Sequence, residues 1–551
     1  MIAALLAGLA SAAVLALFAF TFVDGLWRPD AFDYAQIARE LAQGRGFGSR
    51  HAIYALHLDF LKEHGLLDVT WPNLHRFPLP SLGMALGFLA FGVGEAVVVG
   101  HGIVFHAATA ALVFRWADQA LGRAPALACL ALLTVNGTLV EIACSGLAEP
   151  PVLFFFTAAL YGVWRGGGAG RAACVGACLG LAGLARTNAL FAAPLFAVAL
   201  ALAPGGDGPR ARRALPALVA FALGIVLVSL PWWLRNQGVA GSPFFSLHGY
   251  FLLPSGTGGA GEMWYLAGAW GRQATPPAAF VAGHAGAVLA KAAGNLARLL
   301  AELPALAGML GLVPLALLPA FLRSEAGLRP VAWLVSASFV WNALLVSFTD
   351  FFLLKYHLHF VPALVLLAVA GLWQLTARLE GPRFAVAARV LVVLAMTDLT
   401  GFALAGGRIE ARIAHYDRGH WDVIRQRTSP DAVVVSDQSH AVAWETGRRS
   451  VRLHYDRTPS GDLVLGVLSL EDYLPVDAVY LSRQFLRDPG KLEVLSRTLV
   501  LVPGFRRAFP HLHQFEGGGL LFRRPGAATP RSPARAGAAA YPGRPPAPAP
   551  R

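Results

Sequence analysis

Charge is what this chain has least of. Only 14% of its 551 residues are Asp, Glu, Lys or Arg, against 56% hydrophobic, and the mean hydropathy is +0.55. A soluble globular chain carries about 25% charged residues, so long stretches here have nothing to hold them in water. The apolar runs are uniform around a helix rather than one-sided, as expected where lipid replaces water as solvent. Cysteine is scarce too: Cys129, Cys144, Cys174 and Cys178 lie in or beside apolar runs. Cys174 and Cys178 stand one helical turn apart, but no His or second Cys pair completes a metal site, and all four read as small packing residues. Disulfides therefore say nothing about the compartment of the C-terminal part. Residues 3–23 lack Lys and Arg, whereas a cleaved signal would want a basic start, so a retained first span is expected. No internal repeat is present.

The net charge of +13 could suggest nucleic acid, but its placement argues otherwise. Arg165, Arg171, Arg210, Arg212, Arg213, Arg323, Arg329, Arg378 and Arg383 sit in short gaps between apolar runs, the positive-inside pattern of membrane topology. The rest of the excess lies largely in the C-terminal region. Apolar runs near 2–23, 97–114, 125–142, 147–164, 171–185, 188–203, 214–234, 300–322, 330–348, 358–376 and 384–405 give about eleven expected spans. The stretch 171–203 would rise roughly 50 Å as one helix, so a turn is expected at Arg186. Residues 78–95 are ambiguous. If they span, the basic loops move outside; as an interfacial or re-entrant helix they leave those loops cytoplasmic. The loops near 24–96, 235–299 and 349–357, and everything after 405, then face outward.

From about 408 to 524 the pattern changes. Asp431–Ser436, Ser450–His454 and Asp477–Ser482 read as strands, with helical stretches at 418–427 and 439–446 between them, which suggests a small α/β domain. Residues 525–551 are rich in Pro, Ala, Gly and Arg and are expected to be disordered. The expected organisation is a polytopic α-helical membrane bundle over 1–407, with 24–96 as its first outer loop, then an α/β domain over 408–524 and the tail.

The first outer loop carries the most chemistry. Pro29-Asp30 reads as a helix start and Gly44 as its end, with Asp30, Asp33, Tyr34, Ile37 and Leu41 on one face. Carboxylates at the mouth of a helical bundle can act as a general base. The same pattern also fits capping by Asp30, with Asp33 answering the helix dipole.

This loop resembles the first periplasmic loop of the GT-C membrane glycosyltransferases, particularly the branch with protein O-mannosyltransferases and lipid A aminoarabinose transferases. Asp30, Tyr34, Ala38-Arg39-Glu40-Leu41 and Gly44 match in order. Further matching elements are His75-Arg76-Phe77-Pro78 before a helix ending at Phe91-Gly92, Ser145–Pro150 with Glu149, Leu184–Asn188 with Arg186, Pro231–Asn236 followed by Gly241–Phe244, and Lys355-Tyr356 ahead of Pro362. The resemblance covers roughly residues 1–375. One departure is Ala31, where close relatives of the aminoarabinose transferases often carry Glu.

The resemblance implies a plasma-membrane (inner membrane) enzyme with an extracytoplasmic C-terminal domain. It would transfer a sugar from a polyprenyl-phosphate donor to a glycan, lipid or protein acceptor, with inversion. Asp30 would be the base, and Arg76, Arg235 or Lys355 would stabilise the leaving phosphate. Asp33, Tyr34, His75, Glu149 and Tyr356 would line the substrate site. Arg235 and Lys355 also fit snorkelling anchors, and Glu149 a helix cap. His75, His248, His357 and His359 could hydrogen-bond substrate or bind metal. Trp232, Trp233 and Trp264 fit an interface belt. No cofactor is expected, with a divalent metal left open. The lack of a glycine-rich phosphate loop favours a lipid-linked donor over a nucleotide sugar. The alternatives are a membrane transporter, which would want mid-membrane charges and two related halves, and a non-catalytic envelope assembly protein.

Overall fold

Residues 2–22 carry no charge and fold as α1 (Ile2–Phe22), a helix that satisfies its backbone polar groups internally, as hydrocarbon demands. The computed structural model describes residues 1–53, 55–67, 70–202, 210–246, 282–302, 327–349, 354–377, 379 and 381–528. Most of the apolar run near 300–322, together with His248, Trp264, Arg323, Arg378 and the tail from 529, lies outside the described residues.

After α1 come α2 (Pro29–Ala42), α3 (Pro78–Phe91), α4 (Glu95–Leu121), α5 (Arg123–Thr134), α6 (Gly137–Ala143), α7 (Glu149–Arg165), α8 (Ala169–Ala185) and α9 (Arg210–Ala240). These are followed by α10 (Arg329–Ser347), α11 (Val361–Thr376), α12 (Pro382–Met396) and α13 (Leu399–Ile413). Among the described residues six helices are long and apolar enough to cross a membrane, or up to seven if the pair α5–α6, bent by 64°, is one span. The protein is a multi-pass membrane protein. The expected count of about eleven also included helices that fall short of the ~20 residues a perpendicular span needs. Both α7 and α8 have 17 residues. The ambiguous segment 78–95 forms α3, 14 residues or about 21 Å long, less than the ~30 Å of hydrocarbon. The turn expected at Arg186 is there: Arg186 ends α8 in an extended conformation, and a 3-10 turn, Thr187–Ala192, follows.

Small residues let α8 and α9 approach closely, as is common between helices in lipid. A Cβ on Gly176 would lie 2.0 Å from the Phe221 carbonyl oxygen, and one on Gly224 would lie 2.2 Å from that of Ala173.

The C-terminal part builds a six-stranded sheet in the order His51–Ala52, Arg449–Arg452, Val433–Ser436, Ala478–Leu481, Leu520–Arg523, His511–Gln514. The first four strands pair in parallel and the last two attach antiparallel. The three strands and the helices α14 (Arg418–Arg427) and α15 (Ser439–Thr446) expected from sequence are all present. Gly447 ends α15 at φ +70°, the left-handed conformation that glycine supplies without strain. Two features were not anticipated. An edge strand of the sheet comes from the first loop, 400 residues away in sequence, and α13 runs through position 407 without a break. The loop and the C-terminal sheet thus share one hydrogen-bonded layer.

A bulky side chain at the α8–α9 crossing must push two backbones apart. Gly176→Leu is expected to cost about 1–3 kcal/mol and to lower the thermal unfolding midpoint of the detergent-solubilised protein. An unchanged midpoint would mean that the two helices do not cross here.

Candidate active site

Helix α2 begins with Arg28 as its N-cap residue and Pro29 in its first turn; no side chain caps it. Asp30 therefore does not act as the cap, and its carboxylate is directed elsewhere. Oδ1 accepts a hydrogen bond from Arg76 Nη2 at 2.7 Å, and Oδ2 one from Lys355 Nζ at 3.2 Å. One turn on, Asp33 Oδ2 accepts from Arg76 Nε (3.1 Å) and Nη2 (2.7 Å). Its Oδ1 lies 2.6 Å from His51 Nδ1. Arg76 thus holds both carboxylates, using the planar fork that a lysine lacks. It is presented by Asn73, whose side-chain oxygen accepts from the backbone N–H groups of His75 (3.0 Å) and Arg76 (2.7 Å), an Asx-type turn. The Arg76 guanidinium also lies 5.3 Å from the Tyr34 ring centroid.

A second wall comes from the membrane bundle. Glu149 opens α7 but makes no capping hydrogen bond; it pairs instead with Arg186. The Arg186 guanidinium sits 4.5 Å from the Tyr356 ring centroid. Lys355 and Tyr356 belong to a 3-10 turn, Leu354–Phe360. That turn is held by the side-chain amides of Asn188 and Asn342, which donate to the Tyr356 carbonyl at 3.0 and 3.3 Å. Three acids and three cations, drawn from five stretches of chain, meet at this place.

Exposure divides them. The Asp33, Arg76 and Glu149 side chains are closed in, whereas those of Asp30 and Lys355 are 27% and 25% exposed and can meet a substrate. Burial by itself would raise the Asp30 pKa, but Arg76, Lys355 and Arg186 outweigh it and hold the carboxyl well below its usual range. Asp33 follows the same balance: burial raises it, while His51 and Arg76 bring it down to about 2. Burial pushes the Tyr34 phenol up to about 12, so it stays protonated at neutral pH.

Of the residues singled out from sequence, Asp30, Asp33, Tyr34, Arg76, Glu149, Lys355 and Tyr356 come together. His75 is buried beside Arg76 and joins the site through its backbone N–H. Arg235 reaches the loop at another point, donating to the Phe47 carbonyl at 3.2 Å and lying over the Trp232 ring. His357 and His359 are buried among aromatic rings, near Phe339 and Phe156 respectively. Among the described residues no group of three or more His, Cys, Asp or Glu is placed to hold a metal ion.

Arg186, expected at a turn and in an element resembling the family, also joins the site, whereas Asn73, His51 and Ser439 carry no signal in the sequence. His51 Nε2 lies 2.8 Å from Ser439 Oγ, at the start of α15. The order Ser439–His51–Asp33 has the connectivity of a nucleophile–base–acid relay. Ser439 is fully buried, however, and Asp33 is shared with Arg76, so the chain reads as a strut. The turns of α2 that follow are docked on α15 as well. Gln36 donates to the His440 carbonyl at 3.0 Å, and Arg39 to those of Trp444 and Ala443 at 2.9 and 3.2 Å. No local signal announces contacts between positions some 400 residues apart.

Solved structures share this architecture. ArnT from Cupriavidus metallidurans bound to undecaprenyl phosphate matches at a TM-score of 0.54 with 14% identity, over 95% of this chain and 99% of that one. The archaeal oligosaccharyltransferase AglB from Archaeoglobus fulgidus, in complex with an inhibitory peptide and a dolichol-phosphate, matches at 0.56 with 12% identity, over 95% and 74%. No protein-family model matches the chain, and no curated protein matches its sequence. The chain has the fold of the GT-C membrane glycosyltransferases, with a small C-terminal sheet region.

Because Asp33 ionises near 2 when folded and near 3.9 when unfolded, its contribution to stability is present above about pH 4 and lost as pH falls towards 2. The pKa difference corresponds to about 2–3 kcal/mol. Asp33→Asn is expected to be less stable than wild type at pH 7, with the gap in unfolding midpoint narrowing by pH 3. A gap independent of pH would contradict the ion-paired state.

Proposed function

We propose that the protein is an inverting glycosyltransferase that moves a sugar from a polyprenyl-phosphate donor to an acceptor hydroxyl at the outer face of the plasma membrane. The observation that carries this reading is the partly exposed Asp30 carboxylate, set between Arg76 and Lys355 with Arg186 close by. Structures of the same fold have been solved with undecaprenyl phosphate and with dolichol-phosphate bound, which supports a lipid phosphate as the donor's carrier.

In this mechanism the donor's isoprenoid tail lies against the apolar helices and its phosphate meets the cations at the rim. Lys355 suits the phosphate best, because its ammonium is partly exposed and held by a single carboxylate oxygen. Arg76 is more deeply buried and already spans two aspartates, so its main task is to fix Asp30 in place rather than to take the leaving group. A phosphate that draws Lys355 away from Asp30 removes one of the charges that depress its pKa. Donor binding then makes Asp30 a stronger base at the moment one is needed. Asp30 accepts the proton of the acceptor hydroxyl as its oxygen forms a bond to the anomeric carbon. The bond from that carbon to the phosphate oxygen breaks on the opposite side, and the lipid phosphate departs with the electron pair. A single displacement of this kind inverts the centre. Tyr34 and Tyr356 flank the cations of the site, Arg76 and Arg186, and Glu149 keeps Arg186 in position.

Asp30→Asn keeps the shape of the side chain but cannot take a proton. With a labelled polyprenyl-phosphate sugar and a membrane extract as acceptor, its transfer rate is expected to fall about 10²–10⁴-fold. Transfer unaffected by the change would remove Asp30 from the role of base. Absence of transfer with any donor would favour the assembly-protein or transporter readings.

The topology has its own test. Cysteines placed at the exposed positions Glu63 and Glu493 should react with a membrane-impermeant thiol reagent added outside intact cells. Labelling only after the cytoplasm is opened would put the site on the wrong side for this chemistry.

A further inference from the structure

Three guanidinium groups converge on one carboxylate near the end of α1; one of them, Arg28, stands two residues before Asp30. Glu141 Oε2 accepts from Arg412 Nη1 at 2.8 Å and faces Arg28 Nη2 at 3.7 Å, while Oε1 accepts from Arg408 Nε. Arg408 and Arg412 lie one turn apart on α13. The Arg28 and Arg412 guanidiniums both lie over the Trp27 ring, 4.2 and 5.1 Å from its centroid, so a buried indole sets their positions.

The depth of this cluster can be read from helix lengths. Helix α1 has 21 residues and so rises about 31 Å, and the ring of Phe22 at its end packs against Gly406, two residues before Arg408. Counted from the other side, the 15 residues of α12 and the ten of α13 up to Arg408 together rise about 37 Å. Both measures place the arginines at headgroup level, just beyond ~30 Å of hydrocarbon.

The charges do not balance. Among the described residues three cations share a single paired carboxylate, an excess of two positive charges in the cluster. The Glu141 side chain is nearly buried (10% exposed), but those of Arg28, Arg408 and Arg412 are 33, 39 and 37% exposed. A carboxylate offers about four lone-pair sites, whereas three guanidiniums carry fifteen N–H donors. Even with the Gly401 carbonyl, which takes a hydrogen bond from Arg408 at 2.9 Å, most donors on the exposed sides remain for another acceptor. Crowding adds to this, since the charge on Arg28 is disfavoured first by burial and then by Arg412.

We propose that Arg28, Arg408 and Arg412 form a phosphate-binding site at the membrane rim, separate from the Asp30 centre, suited to the phosphate of a membrane lipid or to free phosphate. The geometry selects that ligand class. Planar forks match phosphate oxygens, a multiply charged anion offsets the two excess cations, and the headgroup layer is where lipid phosphates lie. None of the three arginines forms an ion pair with Asp30, Asp33 or Glu149, although the charges of Glu149 and Asp30 reach Arg28, so occupancy here does not require the candidate active site to be filled.

The test uses the full-length protein in a neutral detergent, with native mass spectrometry to count bound lipids. Phosphatidic acid, whose phosphate is a monoester, is expected to bind wild type and to be preferred over phosphatidylcholine. The double variant R408Q/R412Q is expected to bind it about tenfold or more weakly, and R408K/R412K, which keeps charge without the fork, to fall between. Inorganic phosphate at millimolar concentration that displaces phosphatidic acid would assign recognition to the phosphate alone; failure to displace it would assign it to the lipid-borne group. Equal phosphatidic acid binding by wild type and R408Q/R412Q, or no preference over phosphatidylcholine, would overturn the proposal and leave the cluster as an ion network around Glu141. Should R408Q/R412Q fail to fold, R408K/R412K and R412Q alone carry the comparison, and binding as tight as wild type by both would be equally decisive against it.

Discussion

Asp30 and Asp33 stand one helical turn apart on a helix whose neighbours strip away most of their water. Two carboxylates so placed repel each other and lose hydration, and either effect alone would favour protonation. The guanidinium of Arg76 between them resolves the conflict. Its fork reaches both, and with Lys355 on one side and His51 on the other it keeps both acids charged. Removing one member of a buried network of this kind leaves the others uncompensated. The rest of the region reads as support for that arrangement. Asn73 aims the Arg76 backbone, Asn188 and Asn342 hold the turn that carries Lys355, and Glu149 fixes Arg186 beside them.

The C-terminal domain takes part in the same support. Helix α2 is tied to the bundle through Asp30 and Lys355 and to α15 through Gln36 and Arg39, so the helix is held from both bundle and sheet. His51 ties the two ends of this clamp. Its backbone lies in the edge strand of the sheet, while its ring bridges Asp33 and Ser439. A domain that looks separate by composition therefore fixes the orientation of the acidic helix. Rigidity of this kind matters for a general base, because catalytic groups lose effect when displaced by as little as about 1 Å.

Much of this was legible in the sequence, and the boundary of legibility has a physical meaning. Long uncharged runs specify helices in lipid, and short β-branched runs with polar ends specify the central strands, because those patterns act locally. Asp30, Arg76, Glu149 and Lys355 could be named because the motifs that carry them resemble, in order, those of the GT-C family; local pattern alone fitted helix caps and snorkelling anchors as well. Their pairing was not legible. Arg76 was expected to meet phosphate and is found bridging two aspartates, and Arg235 was expected at the site and is found at Phe47. Side-chain partners across the chain depend on how helices pack, which periodicity does not encode. His51 and Ser439 escaped notice for the same reason, since an isolated polar residue in a loop carries no pattern. The turn at Arg186 was legible because one helix over 171–203 would be too long for the bilayer, whereas the bend between α5 and α6 left no mark in the apolar run that contains it.

We propose the ion-paired cluster around Asp30 as the seat of a lipid phosphate's chemistry. The most direct measurement is an experimental structure of the protein reconstituted with a polyprenyl phosphate. Density for the phosphate is expected within hydrogen-bonding reach of Lys355 or Arg186, with the Lys355–Asp30 contact lengthened relative to the unliganded protein. A phosphate bound elsewhere, with Asp30, Arg76 and Lys355 still locked to one another, would contradict it.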